Sequence, residues 1–291
     1  MAPKKRNIKL KSLSHGRPPT AKKPQSISSK ATRTLIRTHH TLQKRRAKAL
    51  AEGDESGAAA IAREIELQGG LETYQRASLT GQRNERGGDS SKILMDWLSP
   101  AISNMRELST NSLSLKMLEV GALSTGNACS RSRLFGMERI DLNSQSEGIK
   151  QQDFMERPLP GDETETFDII SLSLVLNYVP DAVGKGEMLR RTLKFLKPAT
   201  SIQNPELAEY FPSLFLVLPA PCVNNSRYMD EARLESIMRS LEYELVKKKI
   251  SNKLLYHLWR RVAGTGPTKV LFKKEEIRTG KDRNNFAIVL K

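Results

Sequence analysis

The stretch from Leu115 to Asp141 constrains the fold of this chain more than any other. An apolar run begins at Leu115 and leads into Glu119 and Gly121. A second segment with apolar residues ends at Asp141, 20 residues after Gly121. A strand, a carboxylate, a glycine turn and a second acid about 20 residues later form the layout of a nucleotide-binding βαβ unit. The glycine lets the backbone turn tightly beside a ligand, and the second acid can accept hydrogen bonds from two ribose hydroxyls. The segment therefore predicts a nucleotide site.

The loop after Gly121 narrows the class of ligand. It contains no G-x-G-x-x-G pattern, which is the pattern that cradles a pyrophosphate. The ligand that we expect is therefore a nucleoside without a pyrophosphate, and S-adenosylmethionine fits this description. A chance Glu-x-Gly sequence at a strand end is the alternative on this segment alone.

Positive charge is concentrated at the start of the chain. The net charge is +16, and residues 1–50 contain 15 of the 48 lysines and arginines and none of the 32 acids. The rest of the chain is close to neutral. A like-charged segment that carries prolines and serines cannot bury enough apolar surface to fold alone. We therefore predict a disordered basic tail over 1–50, within which residues 32–51 are compatible with a helix that forms on docking to RNA or protein.

Two functions fit this basic tail. It can act as a nucleic-acid arm, whose affinity comes from neutralised phosphates and depends strongly on salt. It can also be an import signal, because residues 3–6 and 44–46 are typical of nuclear localisation patches. A mitochondrial presequence is likewise poor in acids, but Pro18, Pro19 and Pro24 disfavour the amphipathic helix that it needs. The tail therefore predicts a nuclear location.

Several classes of protein are disfavoured by what the sequence lacks. Cys129 and Cys222 are the only cysteines, which indicates a reducing compartment and excludes a cysteine-rich zinc module. The histidines and cysteines do not have metal-ligand spacing, so we expect no metal. The longest apolar runs are shorter than a membrane-spanning helix, and the first residues lack the apolar region of a secretory signal.

From residue 114 onward the pattern alternates between β and α, which predicts a doubly wound α/β sheet. A helical extension over 51–113, with a polar glycine-rich loop at 81–89, is predicted to precede this domain over 114–291. The predicted strands are about 115–120, 138–142, 149–152, 167–173, 214–218, 244–250 and 286–290. The predicted helices are about 32–51, 58–67, 71–79, 92–98, 186–196 and 230–241, with a basic amphipathic helix over 253–262.

In an open α/β sheet, ligands bind beyond the carboxyl ends of the strands, where the strand order reverses. Glu119 and Gly121, then Asp141, then Asp153 each end or follow a predicted strand, so we expect them to converge there. The strand over 167–173 continues directly into Leu174-Val175-Leu176-Asn177-Tyr178-Val179-Pro180. This run places an amide and an aromatic ring at the same edge of the sheet.

Four segments resemble the fungal 25S ribosomal RNA adenine-N(1) methyltransferases, which are class I S-adenosylmethionine-dependent enzymes. The segments are Gly81-Gln82, Arg86 to Ser91, Leu118 to Gly121 and Ser173 to Pro180, and the resemblance covers roughly 70–291. It implies a Rossmann-like doubly wound class I methyltransferase sheet with an N-terminal helical extension. It also implies a nucleolar enzyme that uses S-adenosylmethionine to methylate N1 of an adenine in large-subunit ribosomal RNA. The expected partner is that RNA or a pre-ribosomal particle, and the expected state is a monomer that needs no membrane.

Four residues have a candidate role at the cofactor. Gly121 and Asp141 match the cofactor-binding positions of the family. Asp141 would accept hydrogen bonds from the ribose hydroxyls, and a turn residue at the strand end is the alternative. Glu119 would orient the loop or contact the methionine amine, and a structural capping role is equally open. Asp153 would accept from the adenine amine of the cofactor, a contact for which Gln152 and Phe154 are alternatives. Leu123 and Thr125 replace two glycines of the general class pattern, which leaves the loop conformation open.

For the target base, Asn177 would accept a hydrogen bond from the exocyclic amine and Tyr178 would stack on the ring; ordinary strand-end packing is the alternative for both. Adenine N1 already carries a lone pair, so the reaction needs no nucleophilic side chain and no general base. Trp259 is expected to be a core residue rather than a stacking platform. The rival functions are methylation of another RNA position or of protein, and a catalytically silent RNA-binding assembly factor. A nicotinamide oxidoreductase is disfavoured by the missing glycines.

Overall fold

The computed structural model describes residues 29–73, 77, 88–108, 115–144, 146–202, 204–264 and 270–291. Most of the predicted disordered tail and of the loop over 81–89 lies outside these residues. The helices in this part are α1 (Ser29–Ala51), α2 (Glu55–Leu67), α3 (Ser91–Leu108), α4 (Ala128–Ser132), α5 (Ala182–Phe195), α6 (Pro205–Ala208), α7 (Pro221–Asn224) and α8 (Glu231–Ser240). The strands are β1 (Leu115–Val120), β2 (Phe135–Asp141), β3 (Lys150–Gln151), β4 (Ile169–Ser173), β5 (Ser213–Pro219), β6 (Tyr243–Ile250) and β7 (Leu254–Arg261).

The seven strands form one sheet in the order β3-β2-β1-β4-β5-β7-β6. Strands β1 to β5 are parallel, and β7 runs antiparallel between β5 and β6. From β1 the chain proceeds to β2 and β3 on one side and then returns to β4 and β5 on the other. The strand order therefore reverses between β1 and β4, whose carboxyl ends flank the place where open α/β sheets bind ligands. The predicted doubly wound α/β sheet is confirmed.

The central strands are apolar because both faces of the sheet are covered. In β5 six consecutive residues are buried, as expected for a parallel strand between two layers. One apolar layer gathers around Leu118, Ile170 and Leu216, and the other around Met117, Ile169 and Phe215. This alternation along each strand places the two cores on opposite faces and holds the strand ends at a common edge.

The basic amphipathic helix predicted over 253–262 is wrong, because this segment is strand β7. Five successive residues of β7 are buried, since it lies between β5 and β6 with a layer on each face. A strand that is buried on both faces lacks the alternation of apolar and polar residues that identifies a half-buried strand. The basic residues at the end of β7 were therefore assigned to the polar face of a helix. Trp259 is fully buried, which confirms it as a core residue.

Two smaller predictions are also corrected. The strand predicted over 286–290 does not join the sheet; Leu290 makes one isolated bridge to Phe272 while its side chain packs in the core. The helix predicted to end near Pro100 continues to Leu108. Proline lacks the N–H that would bind the carbonyl of Asp96, and the Ser99 hydroxyl donates to that oxygen at 2.8 Å instead.

Helix α1 covers the region that was predicted to be compatible with a helix. Because α1 begins at Ser29, the prediction of a disordered tail is wrong for residues 29–50. The division into 1–50, 51–113 and 114–291 stays a prediction. Among the described helices, none is long and apolar enough to cross a membrane.

Candidate functional site

Gly121 ends β1 with a left-handed backbone, at φ +74°. Its N–H and that of Ala122 both donate to the carbonyl oxygen of Ile140, at 2.8 and 3.1 Å, so the chain turns back over the end of β2. A Cβ on residue 121 would lie 2.6 Å from Cγ2 of Val175, in the loop that follows β4. Only glycine fits both the backbone conformation and the close approach. The loops after β1 and β4 therefore meet at this residue.

Glu119 holds the other end of the β1 loop. Both of its carboxylate oxygens accept from Nδ2 of Asn127, at 2.8 and 2.9 Å. Asn127 in turn caps α4, because its Oδ1 accepts from the backbone N–H of Ser130 at 2.9 Å. Burial raises the pKa of Glu119 to about 7, against the lowering effects of the Asn127 hydrogen bond and the charge of Arg139. These contacts are what a loop-orienting role requires.

The segment just before α3 docks onto the same edge of the sheet. Oδ2 of Asp89 accepts from the backbone N–H of Ala128 at 2.6 Å, and its Oδ1 accepts from the N–H of Ser91 at 3.0 Å. The hydroxyls of Ser90 and Ser173 are hydrogen-bonded at 2.8 Å, which ties this segment to the last residue of β4. The sequence predicted only a polar glycine-rich loop over 81–89 and a helix from about residue 92. The link to α4 and β4 was missed because it joins residues far apart in the chain.

Asp141 and Asp153 lie at the ends of β2 and β3. Oδ1 of Asp141 accepts from the backbone N–H of Asn143 at 2.8 Å, and burial raises the pKa of its carboxyl. Oδ1 of Asp153 accepts from the N–H of Met155 at 2.7 Å. The two alternatives to Asp153 are engaged elsewhere. Oε1 of Gln152 accepts from Arg157 at 2.9 Å, and the ring of Phe154 is buried in the core.

Asn177 and Tyr178 follow β4 in a tight loop. Leu174 begins it with a left-handed backbone, at φ +60°, and the N–H of Tyr178 donates to the carbonyl of Val175 at 2.9 Å. The side-chain oxygen Oδ1 of Asn177 is buried and accepts no hydrogen bond from the described residues. The ring of Tyr178 stacks on the imidazole of His40 in α1, with centroids 3.9 Å apart and planes 18° from parallel.

Lys185 supports this loop from below, a role that the sequence analysis did not identify. Its side chain is only 3% exposed, and its ammonium donates to the carbonyl oxygens of Val179 at 2.7 Å and Asp181 at 3.0 Å. Burial, together with the charge of Lys44, lowers the pKa of Lys185 to about 8. No signal in the sequence indicated this role, because the helix predicted over 186–196 began one residue after Lys185, whereas the observed helix begins at Ala182.

The predicted site residues follow the carboxyl ends of β1, β2, β3 and β4, which lie at one edge of the sheet. Gly121 and the Asn177–Tyr178 loop are in contact through Val175, and Glu119 orients the loop that starts at Gly121. Asp141 is the last residue of β2, which pairs with β1, and Asp153 follows the end of β3, which pairs with β2, by two residues. No group of three or more potential metal ligands occurs among the described residues.

Comparison with known proteins gives the family. A family model described as Bmt2, 25S rRNA (adenine(2142)-N(1))-methyltransferase, matches residues 59–288. A Saccharomyces cerevisiae protein named 25S rRNA (adenine(2142)-N(1))-methyltransferase is 41% identical over 231 residues, which is 79% of this chain and 63% of that protein. The chain thus spans less than two thirds of the length of that relative. A Schizosaccharomyces pombe 25S rRNA adenine-N(1) methyltransferase is 40% identical over 87% of this chain and 89% of its own length.

A solved structure, that of the CurJ carbon methyltransferase, superposes with a TM-score of 0.42 and 14% identity over 82% of this chain and 72% of its own. The family match covers most of the chain, including every residue of the site described above except His40 and Lys44, and it confirms the resemblance found in the sequence. The chain belongs to the 25S rRNA (adenine(2142)-N(1))-methyltransferase family.

Proposed function

We propose that this protein transfers a methyl group from S-adenosylmethionine to N1 of an adenine in large-subunit ribosomal RNA. Family membership supports the reaction class. The observation that carries the proposal for the site is the buried Oδ1 of Asn177, which accepts no hydrogen bond from the described residues and adjoins an aromatic ring at the strand-order reversal. A buried acceptor without a partner is costly, so the amine of a bound base would remove that cost by donating to this oxygen.

The residues present fit S-adenosylmethionine. Gly121 makes the tight left-handed turn that brings the backbone at the end of β1 against the loop after β4, where a side chain would clash with Val175. Asp141 uses Oδ1 for the N–H of Asn143, and its Oδ2 accepts no hydrogen bond from the described part of the chain. This oxygen is available for the ribose, while the carboxylate of Asp153, one strand farther out, is available for the adenine amine. When bound, the cofactor supplies an electrophilic methyl group on a sulfonium.

The chain's own residues then have to hold the target base. An adenine inside an RNA helix must leave its stack before it reaches such a site. Oδ1 of Asn177 would accept from its exocyclic amine, and the ring of Tyr178 would stack on its face, which contributes about 1–3 kcal/mol per base in single-strand binders. These two contacts would fix the plane and the rotation of the base. N1 would then lie in line with the methyl group, at an attack distance of about 3–3.5 Å.

Acid–base chemistry is not required from the protein, because the N1 lone pair is already free. Catalysis at this site therefore consists of positioning. Lys185 contributes by holding the carbonyls of Val179 and Asp181, which end the loop that carries Asn177 and Tyr178. A loop fixed at both ends loses less conformational freedom when the base binds.

The experiment that tests the proposal is methyl transfer from labelled cofactor to isolated, unmodified large-subunit ribosomal RNA. A reverse-transcription stop on the product distinguishes N1 from N6, because only N1 methylation blocks the pairing edge. Asp141→Ala and Gly121→Arg should abolish cofactor binding in calorimetry, whereas Glu276→Gln, which changes an exposed acid outside the site, should not. Label in protein instead of RNA would refute the substrate, and tight RNA binding without cofactor binding would identify a silent assembly factor.

We also infer a nucleolar location from the basic segment over residues 1–50. Its 15 cations and absence of acids suit both import and retention on ribosomal RNA. Deleting residues 1–28, which precede α1, should release a fluorescent fusion of the protein from the nucleolus. Unchanged nucleolar signal would refute the inference.

A further inference from the structure

Helix α1 places a ring on one face of Tyr178, the side chain on which we propose that the target base stacks. The His40 imidazole stacks on the phenol ring with centroids 3.9 Å apart, which is a direct stacking contact. An adenine cannot enter between two rings at this distance. His40 is flat, aromatic and uncharged at neutral pH, since burial, His39 and Lys44 together lower its pKa to about 3. It therefore presents to Tyr178 the kind of surface that a purine would present.

Two cations lie on either side of His40 along the same face of α1. Arg37 precedes it by three residues and Lys44 follows it by four, so each lies about one helical turn away. Both side chains are exposed. Lys44 is close enough to the loop support to lower the pKa of Lys185, which places this face of the helix over the loop after β4.

The opposite side of α1 carries buried apolar residues. Leu42 and Ala49 are buried, and α1 is joined to α2 by an ion pair between Arg45 and Glu64 at 3.9 Å. Arg46 is exposed but lies nine residues after Arg37, about half a turn round the helix from it. The row Arg37–His40–Lys44 is thus distinct from the face that packs on α2.

We propose that α1 is the RNA-binding wall of the substrate site, in which His40 occupies the stacking face of Tyr178 until the target adenine replaces it, and Arg37 and Lys44 bind the phosphates on either side of that nucleotide. The inference rests on the proposed function and adds the surface that receives the RNA. Single-stranded nucleic acid is the partner that fits, because it offers both a base to stack and a backbone charge on each side. A duplex offers phosphates but keeps its bases inside.

Kinetics with unmodified large-subunit ribosomal RNA test the two parts separately. Arg37→Ala should raise KM for RNA several-fold and leave the affinity for S-adenosylmethionine unchanged. The salt dependence of RNA binding should weaken, with a log–log slope smaller by about 0.7 for one lost contact to a single strand. Arg46→Ala removes the same charge from the other side of the same helix and is the matched control. Equal effects of Arg37→Ala and Arg46→Ala would overturn the phosphate row.

His40→Ala removes the competitor for the Tyr178 face, so kcat/KM for RNA should stay the same or rise. A fall of tenfold or more, with the variant folded, would overturn the replacement of His40 by the base. A second readout needs no catalysis. In nuclear magnetic resonance titrations of histidine-labelled protein, assigned with the His40→Gln variant, His40 should stay neutral down to pH 5 in the free protein.

Addition of a short oligoadenylate should release the His40 ring, so that it titrates with a pKa near the ordinary value of about 6.5. An unchanged His40 signal at saturating oligoadenylate would refute the displacement. The same samples separate this inference from the proposed function. If the wild type transfers no methyl group, the proposed function fails. If it does, but Arg37→Ala behaves like Arg46→Ala and oligoadenylate leaves the His40 signal unchanged, only the inference about α1 fails.

Discussion

Removing the side-chain amide of Asn177 should lower the rate of RNA methylation strongly while changing the stability of the protein little. Its buried Oδ1 accepts no hydrogen bond from the described residues, a state that costs about 1–3 kcal/mol in the ligand-free protein. Asn177→Ala recovers this free energy and loses packing contacts of about 1–2 kcal/mol for a half-buried side chain. The two effects have similar size and opposite sign. We therefore expect the free energy of unfolding to change by no more than about 1 kcal/mol, measured by urea denaturation.

The same substitution leaves the exocyclic amine of the bound adenine without its acceptor. An unpaired buried donor costs about 1–3 kcal/mol, which corresponds to a decrease in kcat/KM of about 5- to 150-fold. Asn177→Asp keeps an acceptor at this position and should retain more activity than Asn177→Ala. The affinity for S-adenosylmethionine, measured by calorimetry, should be the same in both. A variant that loses about 3 kcal/mol of stability, or that methylates RNA at the wild-type rate, would refute this reasoning.

Three further predictions concern the supports of the site. Gly121→Ala should destabilise the protein by about 2–4 kcal/mol, from the left-handed backbone and the contact of its Cβ with Val175, and Val175→Ala in the same chain should restore the steric part in urea denaturation. Lys185→Met should lower kcat for RNA methylation because the Asn177–Tyr178 loop loses two hydrogen bonds, whereas Lys194→Met, at an exposed position of the same helix, should not. The pKa of Glu119 is raised to about 7, so the folded protein binds this proton more tightly than the unfolded chain, and stability decreases as the pH rises from about 4.5 to 7. Glu119→Gln removes that loss. The free energy of unfolding of the variant, minus that of the wild type, should therefore increase by roughly 3 kcal/mol from pH 5 to pH 8. A difference that does not change with pH would contradict the raised pKa.

The strands that position the site could be predicted because their signal is local. Strand β1 was predicted over its full length, and β5 was placed to within one residue at each end, since a parallel strand buried on both faces is a continuous apolar run. Strand β7 is just as apolar, but the basic residues at its end, Arg260 and Arg261, imitated one face of a helix. The residue types at the ends of β1, β2 and β4 were likewise readable, because the carboxyl ends of parallel strands meet at one edge.

Contacts between distant parts of the chain could not be predicted in this way. The hydrogen bond of Ser90 with Ser173 and the stack of His40 on Tyr178 each join segments whose local patterns carry no trace of the other. Both contacts end on the loop after β4, the first at its start and the second at its aromatic ring. Lys185 holds the far end of the same loop. Helix α1 and the segment before α3, which both precede the sheet in the chain, therefore converge on the loop after β4. Helix α5, which follows this loop, contacts it as well.

This convergence shows how the proposed site, in which no side chain acts as a general acid or base, could still select its target base. Methylation at N1 needs only that the base be held flat and in line, so the selectivity resides in what the base must displace and what it must satisfy. In the substrate site that we propose, a base that enters would replace His40 on Tyr178 and would donate to Oδ1 of Asn177. Adenine meets both demands because it has a flat face and an exocyclic amine beside N1. Uracil has no exocyclic amine and would leave the acceptor unpaired, which costs about 1–3 kcal/mol.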